Sequence, residues 1–478
     1  MAKLKDSIYQ LAAAEFQSIH NSLVNSEAEQ AAKLFRYLRE DKLSEEQIQG
    51  ALNLYGTSYY ALCSRLQSKI EEYLLEQMDT PRSDLSRKVA AINQFILTKK
   101  QHVAIMVLKR LEKELLKSDL SNELTIVYKT LKRIHINSPE YFTYSQLYNK
   151  HIAYMLAVDK VEDLVAEFFK KYGVYSLTAK PQDLIPLSFI SNEIQNINKL
   201  YTSHRLYIHE SVVYLFYQLV IESKPDLQDV EKRFKEINRI FKSYRYDTLY
   251  QQLYIVFDVL QYIYYVLIGD NTSADKSMKA IQPSLSFLLS NYHLYIYPPQ
   301  FLITHIHHLV SVKKEKELYK NNITLLYDFE PDPKDVPSFF AYMVYRSISC
   351  YYSERYEEAI RWLKKLLKDV DMSIFPTAMI EVQILITLFH ILLHENIPAK
   401  SQLAKISSAI EIAPFHVKVV YNILHYGLYK KQGEPVASKM RDEFSALKKI
   451  HVSYFSPLLI IQLDKKQIGG LIDYFEYI

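Results

Sequence analysis

The chain has 478 residues, of which 49% are hydrophobic and 23% are charged, and its formal net charge is +4. This composition is that of an ordinary globular protein, and it excludes both a disordered chain and a strongly basic, dedicated nucleic-acid binder. Only eight glycines are present, whereas average usage of about 7% would supply roughly 33. Hairpin turns, phosphate-binding loops and strained catalytic turns need residues that tolerate positive φ. The sequence therefore predicts an all-α protein.

Cysteine content and hydropathy indicate the cellular compartment and whether the chain crosses a membrane. Cys63 and Cys350 are the two cysteines, too few for a disulfide framework, so we expect a reducing, cytoplasmic compartment. The amino terminus lacks the unbroken apolar core of a secretory signal. The most apolar stretch, residues 253–268, contains Asp258 and Gln261 and falls short of the ~20 residues that span a bilayer. We predict no membrane-spanning segment.

Helical hairpins organise the chain from residue 136 onward. Residues 1–135 look helical without a clear repeat, and we predict a separate amino-terminal bundle or cap. Beyond them, helical stretches alternate with short polar breaks, as in stacked helical hairpins. The predicted pairs are 139–157 with 161–172, 204–221 with 227–241, 247–268 with 273–289, and 299–312 with 316–327. The proline-rich residues 329–337 then predict an extended linker or hinge.

The clearest pair covers residues 338–371. Ser347 is a small residue on the first helix, Tyr356 opens the second, and Ala359 and Leu363 follow it at helical spacing. This pattern resembles the tetratricopeptide repeat, whose sequence asks for a small residue, an aromatic, an alanine and a bulky apolar residue at these places. A small side chain where two helices cross lets their backbones approach closely.

Two positions depart from the family pattern: Glu354 stands at the turn glycine, and Leu366 stands at a second small position. Further pairs begin at Pro376 and Pro414, since proline suits a first helical turn. These pairs are 376–394 with 403–412, and 414–429 with 435–449, and residues 453–478 are predicted to form capping helices. The resemblance implies an α-solenoid over residues 136–452, a right-handed superhelix of stacked hairpins.

Motifs of catalysis and metal binding are missing from the sequence. His305 with His308, and His390 with His394, could each place two ligands on one helix face, but two ligands are not a metal site. No Walker loop, nucleophile elbow or HExxH motif occurs. We therefore predict no cofactor, no metal and no enzymatic activity. A hydrolase whose site converges from distant positions stays as a third hypothesis.

Residues 44–75 loosely resemble a helix-turn-helix. Ser44 begins a helix with a capping box, Gly56 lies in a tight turn, and a second helix starts at Tyr59. The start of this second helix is mostly apolar, which favours packing in a bundle over readout of base edges. A partner-sensing regulator whose amino-terminal helices contact DNA is therefore the second hypothesis.

The last informative feature of the sequence is its high tyrosine content, 40 residues in all. If the first helix of each hairpin lines the concave face, as in tetratricopeptide arrays, rings and guanidinium groups on these helices could anchor a peptide. The competing interpretation is that the rings fill gaps between hairpins. The candidate partner-binding residues are Tyr207, Tyr214, Tyr250, Tyr254, Tyr342 and Arg346. We expect a non-enzymatic cytoplasmic scaffold that binds a protein or peptide along this face.

Overall fold

The computed structural model describes residues 4–461 apart from 6, 9–10, 12, 27, 41–42, 77–80, 202, 245–247, 290–294, 327–330 and 430–453. Within these residues every regular element is a helix, which confirms the predicted all-α class. Two compact units divide the chain, Met1–Lys109 and Arg110–Ile478. The sequence predicts a different division into three parts, residues 1–135, 136–452 and 453–478. That division stays a prediction.

The amino-terminal unit, Met1–Lys109, is a bundle whose core includes Phe35, Tyr59 and Leu66. The capping box predicted at Ser44 is present, because Ser44 Oγ accepts from the Gln47 amide and the Gln47 side chain accepts from the Ser44 amide. Tyr59 is fully buried, so the start of the second helix packs into this core. The helices are α1 Ala13–Asn25, α2 Glu29–Glu40, α3 Glu45–Leu52, α4 Thr57–Glu76, α5 Pro81–Ala90, α6 Ile92–Thr98 and α7 Gln101–Lys117, the last of which continues into the second unit.

The carboxy-terminal unit, Arg110–Ile478, contains helices that pack mainly in neighbouring pairs. A π-helical turn, Tyr217–Ile221, directly follows α11. The helices are α8 Ser121–Ile134, α9 Glu140–Thr178, α10 Leu184–Leu200, α11 His204–Phe216, α12 Leu227–Ser243, α13 Thr248–Ile268, α14 Asn271–Ile281, α15 Leu285–Leu289, α16 Pro299–Ser311, α17 Glu317–Leu325, α18 Val336–Tyr352, α19 Tyr356–Asp369, α20 Pro376–Leu392, α21 Asn396–Ile406, α22 Phe415–Tyr429 and α23 Pro457–Ile460.

The predicted helices differ from the structure at several places. The sequence divided residues 139–172 into two helices, but α9 runs unbroken for 39 residues. Its predicted break holds Asp159 and Lys160, which are exposed on the helix, and polar residues without glycine or proline do not end a helix. Helix α10 was not predicted, although Pro186 lies in its first turn, where proline is tolerated. Helix α21 begins at Asn396, before the predicted start at residue 403; the predicted helix 435–449 lies outside the described residues.

Four successive hairpins share one turn geometry, which recurs about every 40 residues, a period typical of helical repeats. In each, a residue one or two positions after the end of the first helix is left-handed, with φ of 75° at Gly269, 59° at Lys313, 58° at Glu354 and 61° at His394. The next amide then bonds to a carbonyl five residues earlier, as in a Schellman motif. We call α13, α16, α18 and α20 the first helices of these hairpins and α14, α17, α19 and α21 the second helices.

The first helices are covered by two further elements. The long helix α9 packs against α18 and α20, and residues 454–461, which we call the C-terminal segment, pack against α16, α20 and α22. At Gly173 of α9, a Cβ atom would lie 3.3 Å from Pro337 of α18. Because α9 and the C-terminal segment both pack against α20, twelve of its 17 residues are buried.

Candidate functional site

A cleft of about 470 Å³ lies in the carboxy-terminal unit, beside the C-terminal segment. Its walls come from α9, the π-helical turn, α13, α16 and the C-terminal segment. Half of the lining residues are aliphatic, including Val220, Ile263, Leu267, Ile303 and Leu459. The volume lies within the range of ~300–1,000 Å³ in which protein pockets bind ligands. The cleft is therefore large enough for a small molecule or a few side chains of a peptide.

The polar groups that line the cleft are uncharged. The Tyr172 hydroxyl donates to Gln300 Oε1 over 3.4 Å, and Thr304 Oγ1 donates to the Gln300 carbonyl over 2.8 Å. Burial lowers the pKa of His307 below its ordinary value, so its imidazole is neutral at pH 7. Among the described lining residues none carries a formal charge at that pH. This chemistry favours a neutral, mainly apolar ligand.

The π-helical turn shapes one wall of the cleft. Tyr217–Ile221 continue α11 with wider hydrogen bonding, and the Glu222 amide bonds to the Tyr217 carbonyl over 2.9 Å. Leu219 and Val220 of this turn line the cleft. Single π turns inside α-helical segments are rare and occur frequently at functional sites. The position of this turn supports the cleft as a functional site.

A buried polar cluster adjoins the cleft and joins three parts of the chain. Glu381 of α20, His416 of α22 and Ser456 of the C-terminal segment are each at most 2% exposed. Ser456 Oγ donates to Glu381 Oε2 over 2.7 Å and lies 3.1 Å from His416 Nε2. Glu381 Oε1 is 3.4 Å from the same nitrogen. In a Ser–His–Glu catalytic triad the hydroxyl and the carboxylate bind opposite ring nitrogens. This arrangement is therefore a binding cluster, and it gives no support to the hydrolase hypothesis.

The C-terminal segment is bound through both its side chains and its backbone. The Phe455 ring packs edge-on against Phe340 of α18, with centroids 5.6 Å apart. The Leu458 amide donates to Glu381 Oε2 over 3.3 Å, and the Tyr352 hydroxyl donates to the Ile461 carbonyl over 2.8 Å. First helices α18 and α20 thus hold a short peptide segment by its main chain as well as by its side chains.

The structure places the predicted partner-binding residues in three separate groups. Tyr207 and Tyr214 of α11 pack on Arg233 of α12, whose guanidinium lies 3.8 Å from the Tyr214 ring centroid. Arg233 also donates to Glu210 over 2.7 Å and to Asp229 over 3.0 Å. This group links α11 to α12 through contacts inside the chain.

The second group joins α13 to the two helices before it, and the third lies within the hairpin of α18 and α19. Tyr250 is fully buried and hydrogen-bonded to His204, and the Tyr254 ring packs 4.4 Å from Phe241. The Tyr342 hydroxyl accepts from Arg346 Nη1 over 2.8 Å, and the Arg346 guanidinium lies 4.2 Å from the Trp362 ring. Each group has its own partners inside the chain, and the role of the six residues in partner binding stays a prediction.

The repeat-packing residues lie at the crossing of α18 and α19. Ser347 Oγ donates to the Ala359 carbonyl over 3.1 Å, and both residues are fully buried. Leu363 is also fully buried. The Tyr356 ring is half-buried and stacks on Phe389 of the next hairpin, with centroids 6.5 Å apart. These contacts join two helices of one hairpin and then one hairpin to the next.

The histidines considered as metal ligands have other partners. His305 Nδ1 and His308 Nδ1 both face the Tyr262 hydroxyl, at 3.3 and 2.9 Å. Burial lowers the pKa of His305 to about 3, so it is neutral at pH 7. His390 Nδ1 lies 2.6 Å from Glu395 Oε2. Among the described residues, no group of three or more possible ligands could hold a metal ion.

Two further sequence expectations concern the cysteines and the membrane. Cys63 and Cys350 are buried and form no disulfide. Burial raises the pKa of Cys350 to about 12, so it stays a thiol at pH 7. None of the helices in the described part of the chain combines the length and apolarity that crossing a bilayer requires.

Sequence reasoning missed the cleft and the Glu381 cluster. The members of this cluster are separated by tens of residues, so no spacing motif connects them. One local signal was available, because Glu381 is the single acidic residue of a mostly apolar helix. A charge in such a helix needs a buried partner. That signal predicts that a partner exists but does not identify it.

No family model, curated protein or solved structure matches this chain. The class of protein is therefore defined by its own geometry. It is an all-helical protein whose carboxy-terminal unit contains repeated helical hairpins, with a cleft and a bound peptide segment on the first helices.

Proposed function

We propose that this protein is a non-enzymatic cytoplasmic scaffold with a tetratricopeptide-like superhelix, and that it binds a peptide segment of a protein partner on its first helices. The observation that carries the proposal is the way α18 and α20 hold the C-terminal segment. Phe340 packs against an aromatic ring, while Glu381 and Tyr352 bond to the backbone. Helices that bind one peptide segment in this way have the chemistry to bind another.

The adjoining cleft supplies space for a partner. Its aliphatic walls, including Ile263, Leu267 and Ile303, suit the apolar side chains of a peptide, and its uncharged amide and hydroxyl groups suit the peptide backbone. Burying a charged residue there without a partner charge would be costly. We therefore expect the bound part of the partner to be apolar and uncharged.

Filling the cleft tests the proposal. Ile303→Trp places a large ring in the cleft, whereas Leu156→Trp adds the same ring at an exposed position of α9. Wild type and both variants are used for affinity purification from extracts of the cells that produce the protein. We expect one protein to be recovered at stoichiometric level with wild type and Leu156→Trp and to be lost with Ile303→Trp. Equal recovery with all three, or no stoichiometric partner, would contradict the proposal.

A further inference from the structure

The C-terminal segment has a specific chemical pattern, Tyr454-Phe455-Ser456-Pro457 followed by four aliphatic residues. Residues 454–456 are non-helical, and Pro457–Ile460 form one helical turn. Two aromatic residues thus precede a Ser–Pro pair, and a short apolar turn follows it. Each part contacts a different group of the unit.

Glu381 recognises the centre of this pattern. Its carboxylate is 1% exposed, and two of its three hydrogen-bond partners among the described residues, Ser456 Oγ and the Leu458 amide, belong to the segment. Pro457 has no amide hydrogen and cannot donate to the carboxylate, so the donors come from the residues on either side of it. A buried carboxylate that loses such partners is strongly destabilised. If the segment leaves, another peptide must supply an equivalent hydroxyl and amide.

The ends of the segment are bound by other groups. Tyr454 packs edge-on against Tyr175 of α9 with centroids 6.3 Å apart, and Phe455 packs against Phe340. At the other end, the Ile461 carbonyl accepts from Tyr352. These contacts require aromatic side chains before the hydroxyl residue and impose no charge. The binding groups therefore define a sequence preference.

The segment site and the cleft are continuous. Ser456, Leu459 and Ile460 of the segment form one wall of the cleft. A peptide that replaces the segment could therefore extend into the cleft without crossing other parts of the fold. A peptide bound in the cleft alone would lie directly against the segment.

We propose that the C-terminal segment is an internal ligand that occupies the partner site, and that the partner is a peptide of the same chemistry, with aromatic residues before a Ser–Pro or Thr–Pro pair and aliphatic residues after it. This inference rests on the proposed function. Because the segment is part of the same chain, its binding is intramolecular and a free peptide competes with it at a disadvantage. A free peptide must overcome this competition, so the segment sets a threshold for partner binding.

Weakening the segment within the full-length chain tests the inference. Phe455→Ala with Leu458→Ala removes two buried side chains of the segment, and Phe142→Ala, at an exposed position of α9, is the matched control. The probe is a fluorescein-labelled synthetic peptide with the sequence of residues 452–463, titrated by fluorescence anisotropy. We expect the double variant to bind this peptide at least tenfold more tightly than wild type or Phe142→Ala.

Two further arms test specificity and guard against misfolding. A probe peptide with alanine in place of its serine should bind the double variant at least tenfold more weakly. A second variant, Ser456→Ala, removes only the contacts of the segment hydroxyl with Glu381 and His416 and leaves the groups of the partner site unchanged. Should the double variant lose its helical circular dichroism, this second one replaces it, and at least threefold tighter binding of the unmodified probe is then expected.

The inference is overturned when a folded weakened variant binds the probe no more tightly than wild type, or binds the alanine probe equally well. Partner capture that depends on Ile303 would in that case leave the proposed function intact. Loss of both probe binding and Ile303-dependent capture would overturn the proposed function as well.

Discussion

The first and second helices of the hairpins differ sharply in how they are buried. Helix α20 buries 12 of its 17 residues, whereas α19 buries four of its 14, namely Ala359, Ile360, Leu363 and Leu366. The second helix is amphipathic, with one apolar stripe on its partner helix and a charged face exposed. The first helix is apolar on nearly all sides, because α9 and the C-terminal segment cover the faces that its neighbours leave free.

This difference changes how the face of the first helices is interpreted. The sequence led us to expect an open concave face with exposed tyrosines. A helix that is hydrophobic all round is a buried helix, and the sequence of α20 already has this character. Among the described residues, a cleft of about 470 Å³ lies beside these helices. Substitutions on the two kinds of helix should therefore have very different effects.

The largest effect is expected at Glu381 on a first helix. Glu381→Ala leaves Ser456, His416 and the Leu458 amide without their shared acceptor. We expect the free energy of unfolding to fall by about 3–5 kcal/mol. Glu357→Ala, on the exposed face of α19, should change it by less than about 0.5 kcal/mol. Urea denaturation followed by circular dichroism measures both, and similar effects at the two sites would refute the distinction between the helices.

Acid should destabilise the first helices through buried histidines. The pKa of His305 is lowered to about 3 in the folded protein, against about 6.5 in an unfolded chain. Below pH 6.5 the unfolded state therefore takes up a proton that the folded state does not, and stability falls as the pH decreases from 6.5 toward 3. In this pH range, each such histidine lowers the free energy of unfolding by ~1.4 kcal/mol for every pH unit of acidification.

Urea midpoints at pH 7.5 and 5.0 test this titration. His305→Gln should reduce the loss of stability between the two pH values by about 2 kcal/mol, because glutamine does not titrate. Asn192→Gln, at an exposed position of α10, exchanges one side chain that does not titrate for another, so it is the control and should leave the pH dependence as in wild type. An unchanged pH dependence in His305→Gln would show that His305 is not held neutral by burial.

A smaller effect is expected where α9 covers α18. Gly173→Val places methyl groups against Pro337, only 3.3 Å from the Cβ position. We expect a loss of about 1–3 kcal/mol from overpacking. Lys170→Val, at an exposed position of the same helix, carries only the difference in helix propensity, below about 0.7 kcal/mol. Equal losses for the two variants in thermal unfolding would mean that the close approach is not a constraint.

The smallest effect concerns the turn between a first and a second helix, and it is stabilising. Glu354 has a φ of 58°, where an L-residue is strained and glycine is not. Glu354→Gly should raise the free energy of unfolding by about 0.5–1 kcal/mol. Glu357→Gly, three residues later inside α19, should lower it by about 1 kcal/mol. A decrease for Glu354→Gly would indicate that its side chain contributes more than its backbone conformation costs.

Local periodicity predicted much of this fold. The helices that begin at Pro299, Pro376 and Tyr356 start where proline position or apolar spacing placed them. The break predicted near residue 159 was wrong, because solvent exposure of Asp159 and Lys160 needs no break in the helix. Similarly, no local signal showed that α9 covers α18 and α20 or that residues 454–461 return to α20. Contacts between residues so far apart depend on shape and burial in three dimensions, which a single sequence does not encode locally.

The length of α9 has a consequence for how the carboxy-terminal unit unfolds. At 1.5 Å per residue its 39 residues span about 58 Å, and they contact α11, α18 and α20, which belong to distant parts of the sequence. A simple array of repeats, in which each repeat touches only its neighbours, can fray from either end. Here the loss of one hairpin also removes contacts of a rod that is shared with the others. We therefore expect this unit to melt in a single cooperative transition, with calorimetric and van't Hoff enthalpies that agree.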